Sequence, residues 1–221
     1  SVLVLPWHHP ARLGKTIATL DHLSMGRVDL GVGVAIAEEE FNNLNITFAD
    51  RGKRTDDVLA SLAALWYQDV PAHDGPYYQF SGQRFEPKPR QAKLPIHVGG
   101  GALPALRRVA KFGQGWHALG KSPNELTADL GTLRDVMRVN TEELHVSIRC
   151  VVDIVRDPGY EPWGKPFADR RTLKGSPEEI YDIAKAYRDA GVDELVLDFA
   201  TRDIAQNRAN LIEVAELLRD L

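Results

Sequence analysis

Arg27-Val-Asp-Leu-Gly-Val-Gly-Val34 decides how the rest of the chain is read. It is short, rich in β-branched residues and nearly continuously apolar. It leads, through a loop or short helix containing Glu38-Glu39-Glu40-Phe41, to a helical pattern over Asp50 to Tyr67, where Val58, Leu59, Leu62, Leu65 and Trp66 form one stripe. A strand apolar on both faces that hands over to an amphipathic helix belongs to a parallel sheet covered by helices. The same alternation extends in both directions. Upstream, Ser1 to Leu5 reads as a strand and Ala11 to Leu23 as its helix. Downstream come strands at Pro95–Gly99, Gly115–Leu119, His145–Val155 and Glu194–Asp198, each followed by a helical stretch. Two helix starts, Ser122-Pro-Asn-Glu125 and Ser176-Pro-Glu-Glu179, are capping boxes with proline at the first helical position.

Two segments break the alternation. Residues 70–94 carry Pro71, Pro76, Pro87 and Pro89 around Tyr77-Tyr-Gln-Phe80 and read as a hairpin-like excursion. Arg156 to Gly175, with Trp163, Arg170 and Arg171, is irregular and reads as a lid or substrate-contact loop. The six strand–helix units in 221 residues fit a doubly wound sheet or a (β/α)8 TIM barrel. No strand looks like an exposed edge, which favours the barrel. Such barrels take about 250 residues, and this chain starts abruptly inside a strand. The expectation is therefore a single α/β barrel domain over residues 1–221, N-terminally incomplete by roughly two βα units.

The composition excludes several function classes. Hydrophobic residues at 43% and charged residues at 26% place the chain among globular proteins. There is no apolar run of membrane-spanning length and no basic leader before an apolar stretch. A net charge of −4 gives no general attraction for nucleic acid. Cys150 stands alone, so no intrachain disulfide forms, and its apolar surroundings predict a buried, inert thiol. A cytoplasmic location is expected. The basic clusters Arg51-Gly-Lys-Arg54 and Arg170-Arg171 with Lys174 read as solvated helix starts or loops, or as anion contacts at a site mouth.

In a parallel barrel the chemistry sits at the carboxyl ends of the strands. His97-Val-Gly-Gly-Gly101 ends a strand on three glycines before a helix. Bare backbone N–H groups and a helix start can hold a phosphate there, or the glycines simply make a tight turn. Gly31 and Gly33 inside a strand call for a bulge, a close helix, or something flat against the backbone. His8 and His9 are adjacent and make a poor chelating pair, and His9-Pro10 shapes a helix entry. His97 and His117 lie within strands and can line the barrel; no spacing resembles a metal site. None of the six strands contains lysine, which argues against Schiff-base chemistry. Asp153 and Asp198 have nothing but their presence to recommend them as paired carboxylates.

Six stretches together resemble the luciferase-like monooxygenase family: Leu20 to Gly33, Glu38-Glu-Glu-Phe41, Arg51-Gly-Lys-Arg-Thr-Asp56, Phe85-Glu-Pro-Lys-Pro89, Pro95 to Gly100 and Gly113-Gln-Gly-Trp116. Their order and spacing match from Ser1 to about Trp116. The resemblance is to the bacterial-luciferase type of barrel, aligned from the family's third strand onward, and to the branch thought to use the deazaflavin coenzyme F420, with the FMN branch second. It implies a hydride-transferring oxidoreductase acting on a small organic substrate. The alternatives are an FMN-dependent monooxygenase and a non-catalytic flavin-binding barrel protein. It also implies a homodimer.

By the same resemblance, Ser1–Val2 matches a non-prolyl cis bond under the flavin ring. Gly31 and Gly33 match the strand behind the ring, and Gly99, Gly100, Gly101 and Gly120 match the phosphate-end contacts. Ala35 stands where many members have a third glycine, and Ile36 where some deazaflavin-using members place a glutamate. Glu38, Glu39, His9 and His117 are the candidates left for proton transfer, which the sequence does not assign.

Overall fold

The computed structural model describes residues 1–154, 171–199, 203–219 and 221. They form two compact units. One comprises Val2–Gly99 with Arg107–Gln114, the other Gly100–Leu106 with Gly115–Leu221 and Ser1.

The first unit contains β1 (Leu3–Val4), α1 (Pro10–Leu23), β2 (Leu30–Gly33), α2 (Glu38–Asn42), α3 (Arg51–Tyr67), β3 (His73–Asp74), β4 (Gln79–Phe80) and β5 (Ile96–Gly99). β1, β2 and β5 are parallel, with Leu3 opposite Val32, Val4 opposite Gly33, and Val32 opposite Val98. The strand expected over Ser1–Leu5 is shorter, because Pro6 lacks an N–H and turns Leu5–Trp7 into a 3-10 helix. β2 begins at Leu30, not Arg27; the Arg27 guanidinium folds back to donate to the Ser24 carbonyl at 2.7 Å, and its N–H is taken by the Ser24 hydroxyl.

Leu13, Ile17, Leu59, Leu62 and Trp66 are buried where α1 and α3 pack. The helices approach closely at Gly14, whose carbonyl accepts the Trp66 indole N–H at 3.1 Å. A Cβ at Gly14 would press on Phe85 at 3.2 Å and Leu62 at 3.4 Å.

The excursion is a strap laid over these helices. Its ascending limb is fixed by the buried Asp57 carboxylate, which takes His73 Nε2 at 2.7 Å and the backbone N–H groups of Tyr77 and Tyr78 at 2.9 and 3.0 Å. β3 and β4 pair antiparallel at its tip. The descending limb rests Phe85 on Gly14 and points Lys88 Nζ at the carbonyls of Leu65 and Gln68, otherwise unpaired at the end of α3. Gln91 closes it on the buried Asp21 carboxylate.

α4 (Leu103–Phe112) runs from one unit into the other. The second unit then holds β6 (Gly115–Ala118), α5 (Pro123–Asp135), β7 (His145–Ile154), β8 (Arg171–Gly175), α6 (Pro177–Asp189), β9 (Glu194–Phe199) and α7 (Ile204–Leu217). Both capping boxes form as read. All four strands are parallel and meet on β7. β6 pairs with residues 145–148, β8 with 150–154 and β9 with 147–152. A strand has only two edges, so β6 and β8 follow one another along one edge and β9 occupies the other. β8 corrects the expectation of an irregular stretch up to Gly175. The proposed lid residues Trp163 and Arg170 lie outside the described residues.

Side chains alternate across β7. Val146, Ile148, Cys150 and Val152 share one face, for which α5 and α6 supply buried Leu126, Leu133, Ile180, Ala184 and Tyr187. Ser147, Arg149 and Asp153 share the other. Among the described residues no helix is long and apolar enough to cross a membrane.

Candidate functional site

At the carboxyl ends of β2 and β5, the glycines do what bare backbone does best, which is to admit a neighbour. A Cβ on Gly33 would sit 2.9 Å from Val2 Cγ2, and one on Gly99 would sit 3.0 Å from Val2 Cγ1 and 3.1 Å from the Val32 carbonyl. Val2 therefore lies across both strand ends, its outer face exposed. Val2 fills the space that the glycines leave and itself becomes the surface. Gly31, half-buried, lies within β2.

The cis linkage expected at Ser1–Val2 is absent; among the described residues the cis bond is Glu86–Pro87. Ser1 and Val2 are both exposed. Ala35 keeps the left-handed backbone that glycine favours, at φ 62°. Glu38 and Glu39 are exposed in the first turn of α2.

Three buried N–H groups near this rim, Trp7 Nε1, Arg51 Nε and Arg54 Nε, lack a hydrogen-bond partner among the described residues. Aromatic contacts tie them to one wall. Trp7 meets Phe41 edge-on at 6.0 Å, Phe41 meets Phe48 at 5.2 Å, and the Arg51 guanidinium lies 3.8 Å over Phe48. Arg54 lies 4.4 Å over Tyr77 and reaches the Tyr78 hydroxyl, which in turn bonds the His8 carbonyl. Neither arginine pairs with a carboxylate among the described residues. Half-buried cations in no ion pair among the described residues, with N–H groups to spare, can receive an anion. Burial also pushes the His8 imidazole below its ordinary pKa. His9 caps α1, Nδ1 accepting from Ala11 N–H at 3.2 Å.

In the second unit, Gly100 has φ 126° and Gly120 φ 68°. Gly100 donates its N–H to the His117 carbonyl at 3.1 Å, and its own carbonyl takes the Trp116 indole N–H at 2.7 Å. The Gly100 N–H is thus used within the chain. Gly101 leaves space for the Leu119 carbonyl and the Lys121 chain, whose Nζ pairs with Asp129 at 2.8 Å.

His117 is buried, with Nδ1 2.8 Å from Ser147 Oγ. Arg149 pairs with Asp198 at 2.6 Å on the same face. Farther along β7, Asp153 is buried, and its Oδ2 lies 3.6 Å from Lys174 on β8 without a hydrogen bond. Lys174 puts a lysine on a strand that sequence reading did not foresee. On the opposite face, burial pushes the Cys150 thiol up to about 12, Tyr187 opposing slightly.

A family model for luciferase-like monooxygenases matches residues 1–153. The chain belongs to the luciferase-like monooxygenase family. This luciferase-like chain is 38% identical over 125 residues to an uncharacterized protein of Mycobacterium tuberculosis, a match covering 57% of this chain and 43% of that protein. It is 25% identical over 195 residues to the FMNH(2)-dependent dimethylsulfone monooxygenase of Pseudomonas putida, covering 86% of this chain and 53% of that protein. Its matches thus span about half, or less, of those relatives' lengths. It shares the fold of an F420-dependent secondary alcohol dehydrogenase, with TM-score 0.78 at 16% identity, over 96% of this chain and 76% of that one. The α/β luciferase-type barrel expected from the sequence is thereby its fold class.

The orphan donor of Trp7 was missed because a tryptophan beside a proline turn carries no motif. The Asp153–Lys174 pair was missed because β8 has no helical or strand periodicity of its own.

Proposed function

We propose that the chain is a cytoplasmic, homodimeric oxidoreductase on small organic substrates. Its two units would form one barrel domain, and a deazaflavin, coenzyme F420, would lie at the carboxyl ends of β1, β2 and β5. The observations that carry this are the exposed Val2 surface seated on Gly33 and Gly99, and three buried N–H donors in the same unit without partners among the described residues. A planar ring fits an apolar, flat support at a strand rim, and an anionic tail fits half-buried arginines. The cofactor, when bound, supplies the hydride chemistry. Val2 supports the ring, Arg51, Arg54 and Trp7 hold negative charge, and the aromatic wall keeps water from those contacts.

The same fit serves FMN, which the dimethylsulfone monooxygenase relative uses according to its name. Parallel fluorescence titrations with F420 and FMN separate the two. Preferential binding of F420, weakened by Arg51→Gln and Arg54→Gln, supports the proposal. Preferential FMN binding transfers the reading to a monooxygenase, and stoichiometric binding without turnover to a non-catalytic flavin carrier. Binding of neither sinks it.

A further inference from the structure

The strap is pinned at both ends and stands off in the middle. Asp57 fixes residues 73–78, and Phe85, Lys88 and Gln91 fix the descending limb. Between these pins a cleft of about 370 Å³ opens against the two helices. That volume suits a ligand of one or two rings. Its floor is apolar, formed by Ala11, Leu65 and Pro71, and its walls are the rings of Tyr77, Tyr78, Phe80 and Phe85.

These walls are held in place. Tyr78 is bonded through its hydroxyl and meets His9 edge-on at 5.2 Å, Arg54 covers Tyr77, and Lys15 lies 5.0 Å over Phe85. The outer lip, Ser81 to Arg84, is exposed, and nothing lies within 4 Å of a Cβ built on Gly82.

The polar groups of the cleft have one character. Among the described residues that line it none is acidic, Asp50 and Asp57 meeting Tyr77 without lining the cleft, and the ionisable ones besides the tyrosines are His9 and Arg84. Because His9 Nδ1 accepts from Ala11, the hydrogen of its neutral ring resides on Nε2, leaving a donor. Glu86, next along the strap, is exposed, and its Oε2 takes the Lys88 N–H at 3.3 Å. Aromatic walls with cationic and donor edges and no carboxylate select a flat ring bearing an anionic acceptor.

We infer that this cleft is a binding site for a small aromatic carboxylate, with the ring between Tyr78 and Phe85 and the carboxylate toward Arg84 and His9. It lies on the helices and the strap; Arg54, which braces Tyr77 and Tyr78, is shared with the proposed cofactor site, and neither variant tested below alters it.

Three probes of one shape test it: 2-naphthoate, 2-naphthalenemethanol and 2-naphthylmethylamine, each titrated into the 221-residue chain by calorimetry and saturation-transfer NMR. Naphthoate should bind with one-to-one stoichiometry, the alcohol more weakly, and the amine not at all. Arg84→Gln, an exposed position that leaves the fold alone, should weaken naphthoate about threefold to fivefold. Ala11→Leu, which fills the floor from the first turn of α1, should abolish binding. Both variants are checked for unchanged circular dichroism and melting temperature. Equal affinity for all three probes, indifference to either variant, or no binding at millimolar concentration would overturn the site.

Discussion

A buried carboxylate needs a donor for each of its oxygens, and the buried aspartates differ in this respect. Asp57 has His73 on one oxygen and two backbone N–H groups on the other; Asp21 has Gln91 on both. Asp153 Oδ2 has, among the described residues, only a distant, half-exposed lysine. Asp57→Ala should therefore cost about 3 kcal/mol, since it orphans three donors, whereas Asp153→Asn should change stability by less than about 0.5 kcal/mol or raise it. Urea unfolding of both variants checks the contrast, and an Asp153→Asn loss as large as that of Asp57→Ala would show a hidden partner at Oδ2. Asp21 also predicts a pH effect. Burial pushes its carboxyl up, but the Gln91 backbone and side chain, with Val28 and Arg90, outweigh burial and hold it below the ordinary value. A depressed native pKa stabilises above the unfolded value near pH 4 and is lost as pH falls through the native one. Asp21→Asn should thus be less stable at pH 6 and show a flatter decline below pH 4 in melting temperature. At Ala35 the left-handed backbone costs an alanine about 1 kcal/mol. Ala35→Gly should recover a few tenths to about 1 kcal/mol, after the greater unfolded freedom of glycine is counted.

Elements were legible in the sequence wherever periodicity was strong. α3 shows its stripe, and both capping boxes announce their helices, so Ser176→Ala should cost about 1 kcal/mol in thermal unfolding. The strap is another matter. Its prolines exclude a regular element, but its path is set by long-range anchors, Asp57 to Tyr77 and Asp21 to Gln91, which no local pattern encodes. Gly75 shows how tight that path is, because a Cβ there would collide with the Asp57 carboxylate and the His73 ring. Gly75→Ala should lose about 2 kcal/mol and release the strap, read as rapid tryptic cleavage at Arg84 or Arg90 before global unfolding. The glycines of the candidate rim were legible in the sequence, but what approaches them was not. A glycine pair reports that something approaches the backbone, and here the visitor at Gly33 and Gly99 is Val2 from the same chain. β8 was illegible for a similar reason, since its strand character comes from pairing with residues 150–154.

For the molecule as a whole, the charge balance opposes the ligand that the site is proposed to take. The chain carries −4 overall, so an anionic cofactor gains nothing from long-range attraction and must be held by local donors. Arg51 and Arg54 are half-buried and stacked on rings, where salt screens less than at an open surface. Two consequences separate this arrangement from a diffuse basic patch. First, F420 at a hundredfold excess over its Kd should raise the stability of the folded chain by about 2.7 kcal/mol, because a ligand bound to the native state alone stabilises by mass action. Second, the affinity should fall only a few-fold between low and physiological salt, yet by about tenfold or more in Arg51→Gln or Arg54→Gln, since each removes a charged hydrogen bond from a desolvated place. Differential scanning fluorimetry with and without the cofactor, at two ionic strengths and in both variants, reads all of these together. A thermal shift that vanishes with salt in the unaltered chain would mean that the arginines act as a loose surface charge and hold no cofactor.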